Sequence, residues 1–211
     1  MLSVALTGGI GSGKTAVGDI FYQLGKDKGL KLLDADQIAR SLLQGSLNDS
    51  PSQSLIQVRD LFGADIFHSG KLDRTRLRAL IFNSPKQKKQ LESILHPQVY
   101  RTILQQLNRY RQQPDIKIII TAIPLFFETI SETGQLQFDR ILVVDVPESI
   151  QIQRSMHRDQ STRGLIQQII NSQTDRNTRL TRADDIIDNS GDTKYLKSQV
   201  KKLYNFYRTL S

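Results

Sequence analysis

The residues with the most chemical potential lie close to the start of the chain. Gly8 to Thr15 read Gly-Gly-Ile-Gly-Ser-Gly-Lys-Thr, the pattern G-x-x-x-x-G-K-[ST]. Glycines at 8, 9, 11 and 13 let the backbone take torsions closed to residues with a Cβ, so several N–H groups can turn onto one anion. Lys14 adds a mobile positive charge suited to the β- and γ-phosphates of a nucleotide, and the Thr15 hydroxyl is a natural Mg²⁺ ligand. A second group is Asp34-Ala35-Asp36. Two carboxylates beside a phosphate loop are candidates for a general base and a metal site, although one of them could serve only to cap a following helix. A third group is a run of arginines, 154, 158, 163, 176, 179 and 182, in a stretch with few acids. Arg154 and Arg158 are four residues apart on an expected helix and share a face. A basic helix face can be merely solvated. Beside a phosphate loop, guanidinium forks instead suit the charge of a moving phosphoryl group, which makes these two candidate lid arginines.

These groups need a scaffold. Val4, Ala5 and Leu6 form an apolar run that reads as a buried parallel strand, with Ser3 as the one discordant residue. A helix from about Lys14 to Leu24 presents Val17, Ile20, Phe21 and Leu24 on one face, and Gly25 ends it. Leu30 to Leu33 reads as a second strand that delivers Asp34 and Asp36 to its carboxyl edge, where ligands bind in open α/β sheets. Residues 45–52 are loop by composition. From there to about Gln113 the pattern is mostly helical, broken at Gly63 and by a turn at Ser69-Gly70, with no strong strand. Asn83-Ser84-Pro85 starts one helix, and His96-Pro97 separates two. His96 by itself suits a structural hydrogen bond as well as a catalytic role. Ile116 to Ala122 and Ile141 to Val146 read as buried strands, and Phe126 and Phe127 fit a ligand pocket or the core equally. Ile186-Ile187 is a short last strand, followed by a helix carrying Leu196, Val200, Leu203 and Phe206. Strand and helix alternate around one sheet, the mark of an α/β fold with right-handed crossovers.

Composition narrows the function. The chain has 211 residues, a net charge of +8 and no cysteine. Disulfides, thiolate metal sites and a cysteine nucleophile are therefore excluded. The three histidines, 68, 96 and 157, are too scattered to suggest zinc. No signal-peptide pattern and no apolar run of membrane-spanning length is visible, which fits a cytoplasmic protein. The positive charge suits either nucleic acid or anionic small molecules.

Taken in order, these residues resemble the dephospho-coenzyme A kinase family, and the likeness runs nearly end to end. Leu6 to Thr15 looks like that family's phosphate loop. Asp34-Ala35-Asp36 with Ala39-Arg40 matches its second motif, and Phe62-Gly63, Gly70-Lys71-Leu72-Asp73-Arg74 and Leu95-His96-Pro97 match its helical substrate lobe. Pro124-Leu125-Phe126-Phe127-Glu128 is similar to its third-strand segment. Gln151, Arg154, Arg158-Asp159 and Gln173 resemble its lid, and Ala183-Asp184 with Asp188-Asn189 the stretch near the adenine.

The resemblance implies a three-layer α/β/α fold of the P-loop NTPase class with a parallel sheet. Its nucleotide-binding core would comprise residues 1–44, 114–150 and 185–211, its inserted helical lobe 45–113 and its helical lid 151–184. It also implies ATP-dependent phosphorylation of the ribose 3′-hydroxyl of dephospho-coenzyme A, with Mg²⁺, in a monomer or weak homo-oligomer that engages neither nucleic acid nor membrane. Asp36 would be the base, with Lys14 and Arg154 also catalytic. ATP would meet Gly9, Gly11, Ser12, Gly13, Lys14, Thr15 and Ala16, together with Arg158 and Asn189. The acceptor would meet Asp34, Arg40, His96, Pro124 and Leu125, and Thr15 would ligate the metal. Two departures stand out. The turn Lys26 to Gly29 is longer than is usual for the family, and Thr121-Ala122 stands where an acidic or apolar residue is more common. A nucleoside-monophosphate kinase would share the loop and lid but not residues 70–97. A nucleic-acid-dependent NTPase is suggested by net charge alone.

Overall fold

The computed structural model describes residues 1–82, 84–129 and 136–211; Asn83, at the expected helix start, lies outside them. Five strands form one parallel sheet: β1 (Leu2–Thr7), β2 (Leu30–Asp34), β5 (Ile118–Ala122), β6 (Arg140–Asp145) and β7 (Asp185–Asp188). β3 (Phe67–His68) and β4 (Lys71–Leu72) pair separately as an antiparallel hairpin. The sheet order is β2-β5-β1-β6-β7. β1 is central, and the chain leaves it toward one edge before later filling the other. The carboxyl end of β1 is therefore the topological switch point, the place where such sheets bind ligands.

Every residue of β1 is buried, Ser3 included. Ser3 fits because Asp139 takes up its polar groups: Ser3 N and Oγ each donate to Asp139 Oδ2 at 2.7 Å. A buried hydroxyl paired in this way costs little, so the discordant residue does not disturb the strand. Val4, Leu6, Ile118, Ile120, Leu142 and Val144 line one sheet face with Val17 and Phe21 of α1 (Lys14–Gly25) and Leu196 and Val200 of α10 (Thr193–Leu210). Asp192 caps α10, accepting from Tyr195 N at 2.7 Å.

The closing helix buries aromatics that the sequence pattern does not single out. Phe206 is 43 % exposed, and Tyr204 and Tyr207 are the buried aromatics. Tyr207 can be buried because its hydroxyl donates to Asp185 Oδ2 at 2.7 Å and its ring stacks on Phe21 with centroids 5.9 Å apart. Phe206 instead lies under the Arg140 guanidinium, 5.4 Å from its centroid. A phenol brings its own hydrogen bond into the core, and apolar periodicity alone does not register that.

The chain divides into two compact units, one of Met1–Asp34 with Gln106–Ser211 and one of Ala35–Gln105. The second unit begins with α2 (Ala35–Leu42) and α3 (Gln53–Phe62), the latter capped by Ser52 Oγ, which accepts from Leu55 N at 3.1 Å. The β3–β4 hairpin and α4 (Arg74–Phe82) follow, and then α5 (Pro85–Arg111). Val58, Ile66, Leu77 and Leu91 form its core. Two expectations change here. The expected turn at Ser69-Gly70 closes a hairpin of residues 67–72 where no strand was expected, its two-residue strands being too short to show an alternating pattern. His96-Pro97 does not separate two helices, because α5 runs through Pro97. A proline removes one helical N–H and kinks a helix without always ending it.

Candidate active site

The loop leaves β1 at the switch point. Gly11 (φ 69°) and Gly13 (φ 89°) lie in the left-handed region that glycine alone enters cheaply. Gly13 is the N-cap of α1 and supplies no side-chain cap, so the helix brings its amides and its positive dipole end to the loop. Gly13 must also lack a Cβ, because one would collide with Asn189 Nδ2.

The loop is held from several directions. Asn189 Nδ2 donates to Ser12 O at 2.7 Å, and Arg154 Nη2 donates to Asn189 O at 3.0 Å. Lys14 Nζ donates to Gly8 O at 2.8 Å and to Gly9 O at 3.0 Å. Ser12 is buried, and its Oγ is one of the few buried polar atoms without a hydrogen-bond partner among the described residues. Thr15 and Ala16 are exposed in the first turn of α1. The expected ATP residues Gly9, Gly11 to Ala16 and Asn189, together with the catalytic candidate Arg154, thus converge on one loop. Arg158 stands differently. It is exposed and forks onto its neighbour Asp159 with two 2.7 Å bonds, which raise the guanidinium pKa and lower that of the carboxyl.

The acceptor candidates fall in two places. Asp34 ends β2 in register with Ala122, the last residue of β5, and Pro124 and Leu125 follow in the turn before α6 (Phe126–Thr129). They lie at the carboxyl edge of β2 and β5, and β5 is the neighbour of β1. Asp36 and Arg40 belong to the second unit, in the first and last turns of α2. Also in that unit, the Arg40 carbonyl accepts from Arg74 Nη2 at 3.1 Å, and His96 on α5 stacks against Tyr100 at 5.8 Å. Among the described residues no group of three or more His, Cys, Asp or Glu side chains could hold a metal ion.

Arginines 176, 179 and 182 are committed elsewhere. Arg176 forks onto Asp145, with bonds of 2.6 to 3.2 Å. Arg182 lies over the Phe127 ring at 5.0 Å, and Phe126 and Phe127 are core residues, both under 5 % exposed. Arg179 is 6 % exposed. Burial pushes its guanidinium pKa down, while the nearby charges of Glu128, Asp145 and Asp175 act in the opposite direction.

The family model for dephospho-CoA kinase matches residues 2–195. The chain belongs to the dephospho-CoA kinase family. A dephospho-CoA kinase of Hahella chejuensis is 41 % identical over 212 residues, covering 100 % of this chain and 94 % of the relative. One of Mannheimia succiniciproducens is 39 % identical over 213 residues, covering 99 % and 92 %. A solved structure from Thermus thermophilus shares the fold at a TM-score of 0.72 and 25 % identity, over 97 % of each chain.

Within this dephospho-CoA kinase framework, sequence reasoning gave no individual role to two groups that touch the loop or the segment behind it. Gln173 Oε1 accepts from Ile10 N at 3.0 Å, and Glu128 Oε1 accepts from Thr174 N at 2.7 Å. An uncharged glutamine between two helices has no periodicity and no charge signature. Only its place in the family's lid stretch could have drawn attention to it.

Proposed function

We propose that this chain transfers the γ-phosphoryl group of ATP to the ribose 3′-hydroxyl of dephospho-CoA, giving CoA and ADP in the last step of coenzyme A synthesis. The observation that carries this reading is the loop itself. A helix N-terminus without a side-chain cap, Lys14, and the Arg154–Asn189 pair meet at the carboxyl end of the central strand, in a chain of this family.

In this reading the amides of Gly9 to Ala16 and the Lys14 ammonium hold the triphosphate, while Asn189 and Arg158 belong to the nucleotide side. The ribose 3′-oxygen attacks the γ-phosphorus, and its proton passes to the Asp36 carboxylate. As the new O–P bond forms, the bond to the β-phosphate bridging oxygen breaks and its electron pair leaves on ADP. An alcohol is a poor nucleophile, so a carboxylate within hydrogen-bond reach speeds the step by accepting the proton as the bond forms. Arg154 spreads positive charge toward the moving phosphoryl group, the kind of preorganised stabilisation on which phosphoryl transfer depends. Asp34 has a secondary role beside the base, and Arg40, His96, Pro124 and Leu125 receive the acceptor. The core, lobe and lid boundaries given above belong to the same reading, with residues 151–184 closing over bound substrates.

Mg²⁺ fits the donors present. Mg²⁺ usually keeps several waters and takes only one or two protein ligands alongside substrate phosphates. One hydroxyl, that of Thr15, in the exposed first turn of α1 meets that need, and no dedicated acidic cage is required. When bound, the ion offsets negative charge on the β- and γ-phosphates. We extend the proposal to a cytoplasmic enzyme, monomeric or weakly self-associating, that engages neither nucleic acid nor a membrane. Among the described residues no helix is long and apolar enough to span a bilayer.

The test is an ADP-release assay with Mg²⁺·ATP and a panel of acceptors: dephospho-CoA, AMP, UMP, shikimate and water alone. Dephospho-CoA is expected to give turnover at least about 10²-fold above every other member, because the discrimination must come from binding energy in the helical unit. Equal rates with AMP would move the chain to the nucleoside-monophosphate kinases.

A further inference from the structure

The Gly9–Ile10 peptide has both of its polar groups assigned. Its carbonyl, Gly9 O, accepts from Lys14 Nζ at 3.0 Å and from Ser12 N at 3.2 Å. Its N–H, on Ile10, donates to Gln173 Oε1 at 3.0 Å. In a trans peptide the N–H and C=O point in opposite directions, so a bond that fixes one fixes the other. Gln173 therefore sets the plane of the peptide on which the Lys14 ammonium rests.

Gln173 is itself held in place. It lies in the short connection between α8 (Arg163–Asn171) and α9 (Arg176–Thr181). Its own N–H donates to Ile170 O at 3.1 Å. The next residue is gripped at both ends: Thr174 N donates to Glu128 Oε1 at 2.7 Å, and the Arg179 guanidinium donates to Thr174 O. The buried Arg179 and the carboxylate of Glu128 on α6 thus form a clasp around one residue, and the neighbouring side chain reaches the phosphate loop. Geometry also leaves little choice of group. A backbone N–H needs an acceptor, and an anionic one at this point would stand close to the phosphates that the loop is to receive. A neutral amide oxygen supplies the bond without that repulsion.

We infer that Gln173 is a positioning residue for Lys14: through the Gly9–Ile10 peptide it fixes the seat from which the ammonium engages the triphosphate, and it ties the 172–175 joint of the arginine-rich segment to the nucleotide loop. The inference rests on the loop being the ATP site. Gln173 touches no reacting atom and acts only through its neighbours.

Gln173→Leu keeps the approximate size and removes the acceptor, whereas Gln173→Glu keeps the acceptor. One neutral hydrogen bond corresponds to roughly a three- to tenfold change in an equilibrium constant. In the full-length enzyme, Gln173→Leu is expected to raise KM for ATP by about that factor while KM for dephospho-CoA stays within about twofold of wild type. Amide exchange at Ile10, followed residue by residue by NMR without substrates, is expected to quicken by a similar factor in Gln173→Leu and to stay near wild type in Gln173→Glu. The exchange readout does not depend on turnover. An inactive wild-type enzyme would therefore count against the assigned reaction and not against this contact. Unchanged Ile10 exchange in Gln173→Leu, or equal rises in both Michaelis constants, would overturn the inference.

Discussion

Replacing Lys14 by alanine is expected to lower kcat/KM for ATP by roughly 10²- to 10³-fold, the scale on which loss of one preorganised electrostatic contact to a developing charge is felt. The substitution should not unfold the chain. Lys14 is the first residue of α1, it is only half-buried, and alanine is the best helix former. Its ammonium makes two bonds to loop carbonyls, Gly8 O and Gly9 O, so a small local loosening accompanies the change. Melting temperature within a few degrees of wild type, together with the collapse of ATP use, is the expected pair of results. Arginine at this position should restore little, because a planar fork cannot sit where a compact ammonium bonds two carbonyls. An alanine variant that uses ATP normally would show that the loop does not grip the triphosphate.

Asp36→Asn is expected to lower kcat by about 10²-fold or more while leaving KM for ATP close to wild type, the signature of a lost general base. Asparagine keeps the shape and can still accept a hydrogen bond, but it cannot take up a proton at neutral pH. Asp36 lies in the first turn of α2, where a negative charge also favours the helix dipole by ~0.3–1 kcal/mol. A slightly lower melting temperature is therefore expected and is separable from the kinetic loss. Asp34→Asn provides the contrast. Asp34 ends β2 and has the secondary role in this reading, so its kcat should fall less. If the two variants behaved alike, or if Asp36→Asn kept full kcat, the base would have to be sought elsewhere.

Much of this architecture could be read directly because the signals are local. The run Val4-Ala5-Leu6, the glycine spacing and the stripe on α1 each depend on a few consecutive residues, and the structure has β1 at Leu2–Thr7 and α1 at Lys14–Gly25. The features that escaped depend on partners far away in sequence. Ser3 looked out of place because Asp139, which satisfies it, is 136 residues away. Tyr207 escapes notice because apolar periodicity ranks Phe206 above it, and its hydroxyl bond to Asp185 cannot be seen in a helical pattern. Pro97 looked like a boundary because the cost of proline in a helix is local, while the packing that carries α5 through it is not. The site divides in the same way. The loop glycines and Lys14 are recognisable by type and spacing. Helical spacing marks out Arg154 with Arg158, but its tie to Asn189 spans 35 positions and has no local signal. Arg176 and Arg179, members of the same basic run, are paired with Asp145 and buried, respectively.

The most direct measurement is a crystal structure of the full-length enzyme with Mg²⁺, a non-hydrolysable ATP analogue and dephospho-CoA. The expected result is a triphosphate lying within the amides of residues 9–16 with Lys14 Nζ on its β- and γ-oxygens, and a ribose 3′-hydroxyl within about 2.6–3.2 Å of the Asp36 carboxylate. A triphosphate bound away from that loop, or a 3′-hydroxyl beyond the reach of Asp36 even through one water, would contradict it.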